Sequence, residues 1–265
     1  MHLALLHDGR PALLRVEGPV GAKAALFFHP FPLHSDVWEE LLLACADAGL
    51  CAAAIDAPGF GGTPPLGQPL TMDFIAGLGA AALDALGAGR AGVVGNSMGG
   101  YAAMAFMRRF PERASSLTLI ATKGSADAEA ARTGREEQAR VALERGPRAV
   151  MDVLLPKILS GSAGAALRQR VEALAARSTP QGLADAVRGM ALRPDSLGEM
   201  PRWRAPSLVI AGAEDALMPL ADLQAMASAL PRARLEIIEG TGHLPYLERP
   251  AQVAALLTAH LLANP

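Results

Sequence analysis

Short apolar runs bounded by turn residues alternate with stretches of helical spacing along most of this chain, and that alternation narrows the folds open to it. LALL (3–6), ALLRV (12–16), AALFF (24–28) and LCAAAI (50–55) come first, followed by AGVVG from Ala91 and SLTLIA from Ser116. Between them, residues 37–48, 72–86 and 101–109 carry apolar positions at helical spacing. Strands that alternate with helices predict a mainly parallel sheet covered on both faces, because a parallel connection needs a crossover long enough to hold a helix. At 265 residues and 51% hydrophobic composition the chain can bury one sizeable core.

The pattern changes over residues 123–201. Charged, Ala-rich helical segments such as EEQARVALERG and LRQRVEALAAR replace the strands, and alternation resumes only after Pro206 with SLVIAG, a helix over 223–230, LEIIE and a last helix over 250–262. The expected organisation is a core in two parts, residues 1–122 and 202–265, with residues 123–201 as a helical lid inserted after the sixth of eight strands. PGFGGTPPLGQP is read as a Gly/Pro-rich loop.

Charge and cysteine usage exclude several classes. The 24 Lys and Arg stand against 26 Asp and Glu, interspersed, which leaves no basic surface for nucleic acid. Two cysteines, Cys45 and Cys51, do not make a disulfide framework and read as buried thiols. The apolar start at 3–6 is cut short by His7 and Asp8, too brief for a signal-peptide core, and no segment reaches the roughly 18 apolar residues of a membrane span. A cytoplasmic protein without a membrane partner is the expectation.

The chemistry is concentrated in AGVVGNSMGGYAAMAF, where Gly95, Ser97 and Gly99 form a Gly-x-Ser-x-Gly corner between an apolar strand and an amphipathic helix. A strand that turns sharply into a helix strains the residue at its apex, and small flanking residues remove the Cβ atoms that would clash there. Ser97 is thereby projected outward at a helix N-terminus, whose free N–H groups favour an oxyanion. A serine hydroxyl needs a base. Of the six histidines, His243 lies in a Gly-flanked loop directly after LEIIE, at the carboxyl end of the sheet where ligand sites of α/β folds gather. His260 falls inside the last helix, and His2 and His7 in the first strand region. LVIAGAEDALMP supplies Asp215 just beyond a strand end, with Glu214 as its one close rival; ATKGS, after the preceding strand, holds no carboxylate.

The order Ser97, Asp215, His243 is that of an α/β-hydrolase triad, and the chain resembles that superfamily over nearly its whole length. The segments that carry the resemblance are FFHPFPLHSDVW, DAPGFGGT, GNSMGG, GAEDALMP and GTGHLPYLERP. Within it, HPFPLHSDVW and MRRFPER are most similar to the bacterial group of enol-lactonases, carboxylesterases and cofactor-free haloperoxidases. The resemblance implies an α/β-hydrolase fold with an eight-stranded sheet and a small-molecule ester or lactone as substrate; no His/Cys/carboxylate cluster has ligand spacing, so no metal or organic cofactor is expected. It also implies an oxyanion hole from the backbone N–H groups of Phe31 and Met98, although this chain has His29-Pro30 where the family usually has His-Gly. Peroxide-dependent acyl transfer, or a receptor-like protein with a slow triad, are the alternatives.

Other residues carry two readings each. His34, Met151, Met190 and Met218 are candidates for substrate contact, and helix-spaced methionines such as these and Met200 equally serve as core filling. His29 reads as a structural hydrogen-bonding residue and Asp36 as an N-terminal helix residue. Arg188 and Arg193 read as solvated arginines, with a substrate carboxylate as the alternative partner.

Overall fold

A computed structural model describes residues 1–264. Its strands are β1 (His2–His7), β2 (Arg10–Glu17), β3 (Ala24–Phe28), β4 (Cys51–Asp56), β5 (Ala91–Asn96), β6 (Ala114–Ile120), β7 (Ser207–Gly212) and β8 (Ala233–Ile238). They make one eight-stranded sheet in the order β1-β2-β4-β3-β5-β6-β7-β8. The β1–β2 and β2–β4 pairs are antiparallel, and every later pair is parallel.

Period-two alternation within buried strands explains how both faces are covered. In β3, Ala24, Leu26 and Phe28 face one core cluster and Ala25 and Phe27 the other. The first cluster includes Leu78 of α2 (Met72–Ala85) and Phe106 of α3 (Met98–Arg109). The second includes Leu41 of α1 (Glu39–Asp47), preceded by a 3-10 turn over Ser35–Trp38, so the α-helix begins two residues after the position 37 that the spacing predicts. Each Leu or Phe buried in this way contributes about 1.5–3 kcal/mol over its exposed state. Cys45 on α1 and Cys51 at the start of β4 are both buried and free.

Between β6 and β7 lie three helices, α4 (Glu129–Ile158), α5 (Ala165–Ala175) and α6 (Pro180–Ala191). The first is two helices joined at a break: Gly146 has φ 72° and ψ −173°, and Pro147 follows it. Glycine tolerates that conformation, while proline has a φ suited to the first position of a new helix. α6 is sewn to the loop after β4. Leu70 N–H donates to the Asp185 carbonyl at 2.9 Å, and Thr179 N–H to the Gly59 carbonyl at 2.8 Å. A Cβ on Gly189 would lie 1.7 Å from the Leu70 carbonyl oxygen, so only glycine permits that approach.

The chain closes with α7 (Leu220–Ala229), the short α8 (Pro245–Glu248) and α9 (Pro250–Ala263). None of the described helices is long and apolar enough to cross a membrane. The strand order reverses where β3 lies between β4 and β5. The crevice at the carboxyl ends of β3 and β5 is therefore a switch point, the place where open α/β sheets receive ligands.

Candidate active site

Ser97 sits at that switch point, between the last residue of β5 and the first of α3. Its φ of 53° and ψ of −116° are unusual for a residue with a side chain, a conformation of the kind that costs on the order of 1–3 kcal/mol. Surrounding bonds hold it there. Ser97 N–H donates to the Ile120 carbonyl at 3.0 Å, and the Ser97 carbonyl accepts from Thr122 Oγ1 at 2.9 Å. The corner is also too tight for side chains on either side: a Cβ on Gly95 would stand 2.2 Å from the Gly99 carbonyl oxygen, and one on Gly99 1.9 Å from that of Phe28.

Asp215 and His243 come from the loops after β7 and β8. His243 Nδ1 lies 2.8 Å from Asp215 Oδ2, with each side chain only 2% exposed. The other carboxylate oxygen, Oδ1, accepts from the N–H groups of Leu217 and Met218 at 2.8 and 3.0 Å, so the turn that holds Asp215 also orients it. With Nδ1 donating to the carboxylate, Nε2 keeps its lone pair. The rival, Glu214, is exposed.

Three residues outside the sequence reading fix the His243 loop. The Asn96 side chain donates to the His243 carbonyl at 3.3 Å and to the Ile120 carbonyl at 2.9 Å, and accepts from Tyr246 Oη at 3.0 Å. Glu248 accepts from Gly242 N–H at 2.7 Å and from Ser160 N–H at 3.1 Å, tying the loop to the end of α4. Asn96 adjoins the serine in sequence, which is a signal; Tyr246 and Glu248 carry none beyond lying close to His243.

After β3 the buried His29 bridges two loops. Its Nδ1 donates to the Pro30 carbonyl at 3.0 Å and its Nε2 accepts from Ala57 N–H at 3.1 Å. Burial pushes the imidazole down to about 4, so it is neutral and structural at pH 7. Phe31 follows and shares a cavity of about 470 Å³ with Ser97 and His243. Met98, as the first residue of α3, has a backbone N–H without an intrahelical acceptor.

Of the residues singled out for substrate contact, Met190 and Met218 line this cavity and His34 and Met151 do not. Met151 is buried in the second core cluster. His34 is buried too, its Nδ1 accepting from Asp36 N–H at 3.4 Å to cap the 3-10 turn. Asp36 does lie in the first turn, and it also pairs with Arg15 at 3.0 Å and Arg177 at 2.8 Å.

Arg188 meets the expectation of a surface residue, paired with Glu136. Arg193 corrects it. It is buried, 2.7 Å from Asp127 Oδ1 and 4.0 Å above the Tyr101 ring, because a partner far back in the chain neutralises it. Burial works against ionisation of Asp127, but its hydrogen bond from Arg193 and the charge of Arg135 hold the carboxyl well below the usual range.

Comparison with known proteins places the chain. The sequence profile described as alpha/beta hydrolase fold matches residues 24–250. A pimeloyl-[acyl-carrier protein] methyl ester esterase from Xanthomonas campestris is 31% identical, over 91% of this chain and 96% of its own length. The dihydrolipoyllysine-residue acetyltransferase component of an acetoin cleaving system from Cupriavidus necator is 30% identical over 91% of this chain, which spans 64% of that protein's length. Among solved structures, a thermophilic esterase from Thermogutta terrifontis superimposes with a TM-score of 0.93 at 28% identity, covering 99% of this chain and 98% of that one. An enol-lactonase from Burkholderia xenovorans, at 21% identity and TM-score 0.87 over 99% of this chain and 100% of its own, shares the fold. The chain belongs to the alpha/beta hydrolase fold family.

Proposed function

We propose that this alpha/beta hydrolase cleaves carboxylic ester or lactone bonds through a Ser97–His243–Asp215 triad and an acyl-enzyme. The observation that carries the reading is the 2.8 Å bond from His243 Nδ1 to a buried Asp215 carboxylate, with His243 facing the same cavity as the strained Ser97. In the reaction, Ser97 Oγ bonds to the ester carbonyl carbon as its proton passes to His243 Nε2. The oxyanion takes hydrogen bonds from the Phe31 and Met98 N–H groups. Collapse breaks the bond to the leaving oxygen, which recovers the proton from His243. Water then attacks the acyl carbon with His243 again as base, and Ser97 leaves with the proton.

The 31%-identical pimeloyl-[acyl-carrier protein] methyl ester esterase and the 28%-identical thermophilic esterase support ester cleavage. In this reading residues 123–201 act as the lid. Val141, Val153 and Leu154 from α4 stand in the cavity wall opposite the strand-end loops, where they set which substrates fit.

A panel of p-nitrophenyl esters of increasing chain length, beside simple lactones, tests the proposal. Turnover with a chain-length optimum is expected in the wild type and near-complete loss in Ser97→Ala. A Ser97→Ala protein that kept a tenth of the activity would remove the nucleophile. Tight, saturable binding without turnover would mean a receptor-like protein.

A further inference from the structure

The cavity has a charged end that ester cleavage by itself does not require. Lys123, Asp127 and Arg135 line it together with Tyr101. One carboxylate there serves three cations: Asp127 Oδ1 faces Arg193 Nη2 at 2.7 Å, Asp127 Oδ2 faces Arg135 Nε at 3.1 Å, and Lys123 Nζ stands 3.7 Å from Oδ1. The last distance is too long for a hydrogen bond. The neighbouring carboxylates are engaged elsewhere, Glu137 with Arg140 at 2.6 Å and Glu136 with Arg188. Asp195 accepts from the N–H groups of Ala126 and Leu197. The cavity lining balances Lys123 and Arg135 against Asp127 and Glu137. Glu137 pairs with Arg140, however, and Asp127 is held by Arg193 and Arg135. Among the described residues this leaves the Lys123 ammonium without a hydrogen-bonded counter-ion, in a partly closed cavity where water screens poorly.

Two further observations place Lys123 and Tyr101 beside the reacting centre. Thr122, the residue before Lys123, holds the Ser97 carbonyl through its hydroxyl at 2.9 Å. Tyr101 lies four residues after Ser97 on α3, hence on the same helix face and roughly 6 Å further along the axis. The Tyr101 hydroxyl is buried with no hydrogen-bond partner, an unusual condition for a buried O–H. Its ring carries Arg193 at 4.0 Å.

We propose that Lys123, Arg135 and Tyr101 form a subsite for a carboxylate carried by the substrate's acyl chain, so that the preferred ester is a monoester of a short dicarboxylic acid. The reading rests on Ser97 as nucleophile. The ester carbonyl lies at Ser97 and the free carboxylate about one helical turn away, against the Lys123 ammonium. The leaving alcohol is directed to the apolar wall of Val153, Leu154 and Leu217.

The experiment compares p-nitrophenyl hydrogen glutarate with p-nitrophenyl pentanoate, esters of equal chain length that differ in the terminal carboxylate. The wild-type ratio of kcat/KM, charged over neutral, is expected to be about tenfold or more, from one charge-assisted hydrogen bond. Lys123→Met should lower that ratio by a similar factor, mainly through KM, and Lys123→Arg should restore most of it. A ratio near one in the wild type, or one that Lys123→Met leaves unchanged, overturns the subsite while leaving ester cleavage standing. If neither ester is turned over, the hydrolase reading fails. Calorimetric titration of the same proteins with glutarate then decides the subsite alone: binding that Lys123→Met weakens supports it, and no binding overturns it.

Discussion

The Ser97 corner and the helical wall opposite it are built in different ways. At the strand ends each polar group is fixed by short bonds between buried elements: Asp215 by two backbone N–H groups, His243 by Asp215, and its carbonyl by Asn96. The wall is laced with exposed ion pairs such as Arg140–Glu144 and Arg148–Asp152, which contribute little individually. It is also broken at Gly146; its end is tied to the His243 loop by the His243 N–H, which donates to the Ile158 carbonyl at 3.1 Å, while Val141, Val153 and Leu154 reach the cavity only through side chains. In the proposed reading, chemistry that requires fixed geometry sits at the strand ends, and selectivity sits on a helical face whose cavity-lining side chains can change with less effect on the corner.

If that division is right, Asp215→Asn has the largest effect. It keeps the shape but favours the wrong imidazole tautomer, and kcat should fall about 10⁴-fold, as in the serine-protease precedent. Glu214→Gln should change it little. Steady-state kinetics with one ester checks both, and reversed sensitivities would move the acid to Glu214.

Next comes the oxyanion hole. Phe31→Pro deletes a backbone donor and should lower kcat by about 10² to 10³, whereas Phe31→Ala keeps it and should alter mainly substrate fit. Circular dichroism and melting must first match the wild type. Equal activities in two folded variants would place the second donor elsewhere.

His29 tests the rigidity of the strand-end loops through acid stability. Its folded pKa of about 4 lies below the unfolded value of about 6.5, so the folded state binds fewer protons between them. Stability therefore falls as pH drops from about 6.5 to about 4, by on the order of 3 kcal/mol from this group. Burial pushes His34 and His260 down too, with the same sign. His29→Gln should make the pH dependence shallower in denaturant titrations; parallel curves would show that His29 contributes nothing to it.

The smallest effect belongs to the wall. Leu154→Ala should shift relative rates among esters several-fold while reaction of Ser97 with a small phosphonate barely changes. A variant that slowed both equally would erase the distinction between corner and wall.

The same contrast explains what the sequence disclosed. Strands such as AALFF and SLVIAG declare themselves locally, since their apolar runs and flanking turns lie within a few residues. The requirement for an acid just beyond a strand end and a histidine after the last strand leads to Asp215 and His243, which lie in contact. Met98 opens α3 three residues before the expected start, because its place at the corner overrides periodicity. Arg193 read as solvated because its partner, Asp127, is 66 residues away, and no local pattern carries that. His34 and Met151 looked like pocket residues for the same reason: burial against other elements is a tertiary property. The Gly146–Pro147 break is absent from the sequence reading although Gly-Pro is a turn pair, and which face of each half meets the cavity has no local signal.

Active-site labelling tests the central claim most directly. The folded wild-type protein is treated with a fluorophosphonate and the adduct located by mass spectrometry. The account predicts one adduct, on Ser97, forming far more slowly in Asp215→Asn. An adduct on another residue, or none on a protein whose melting transition is intact, would contradict it.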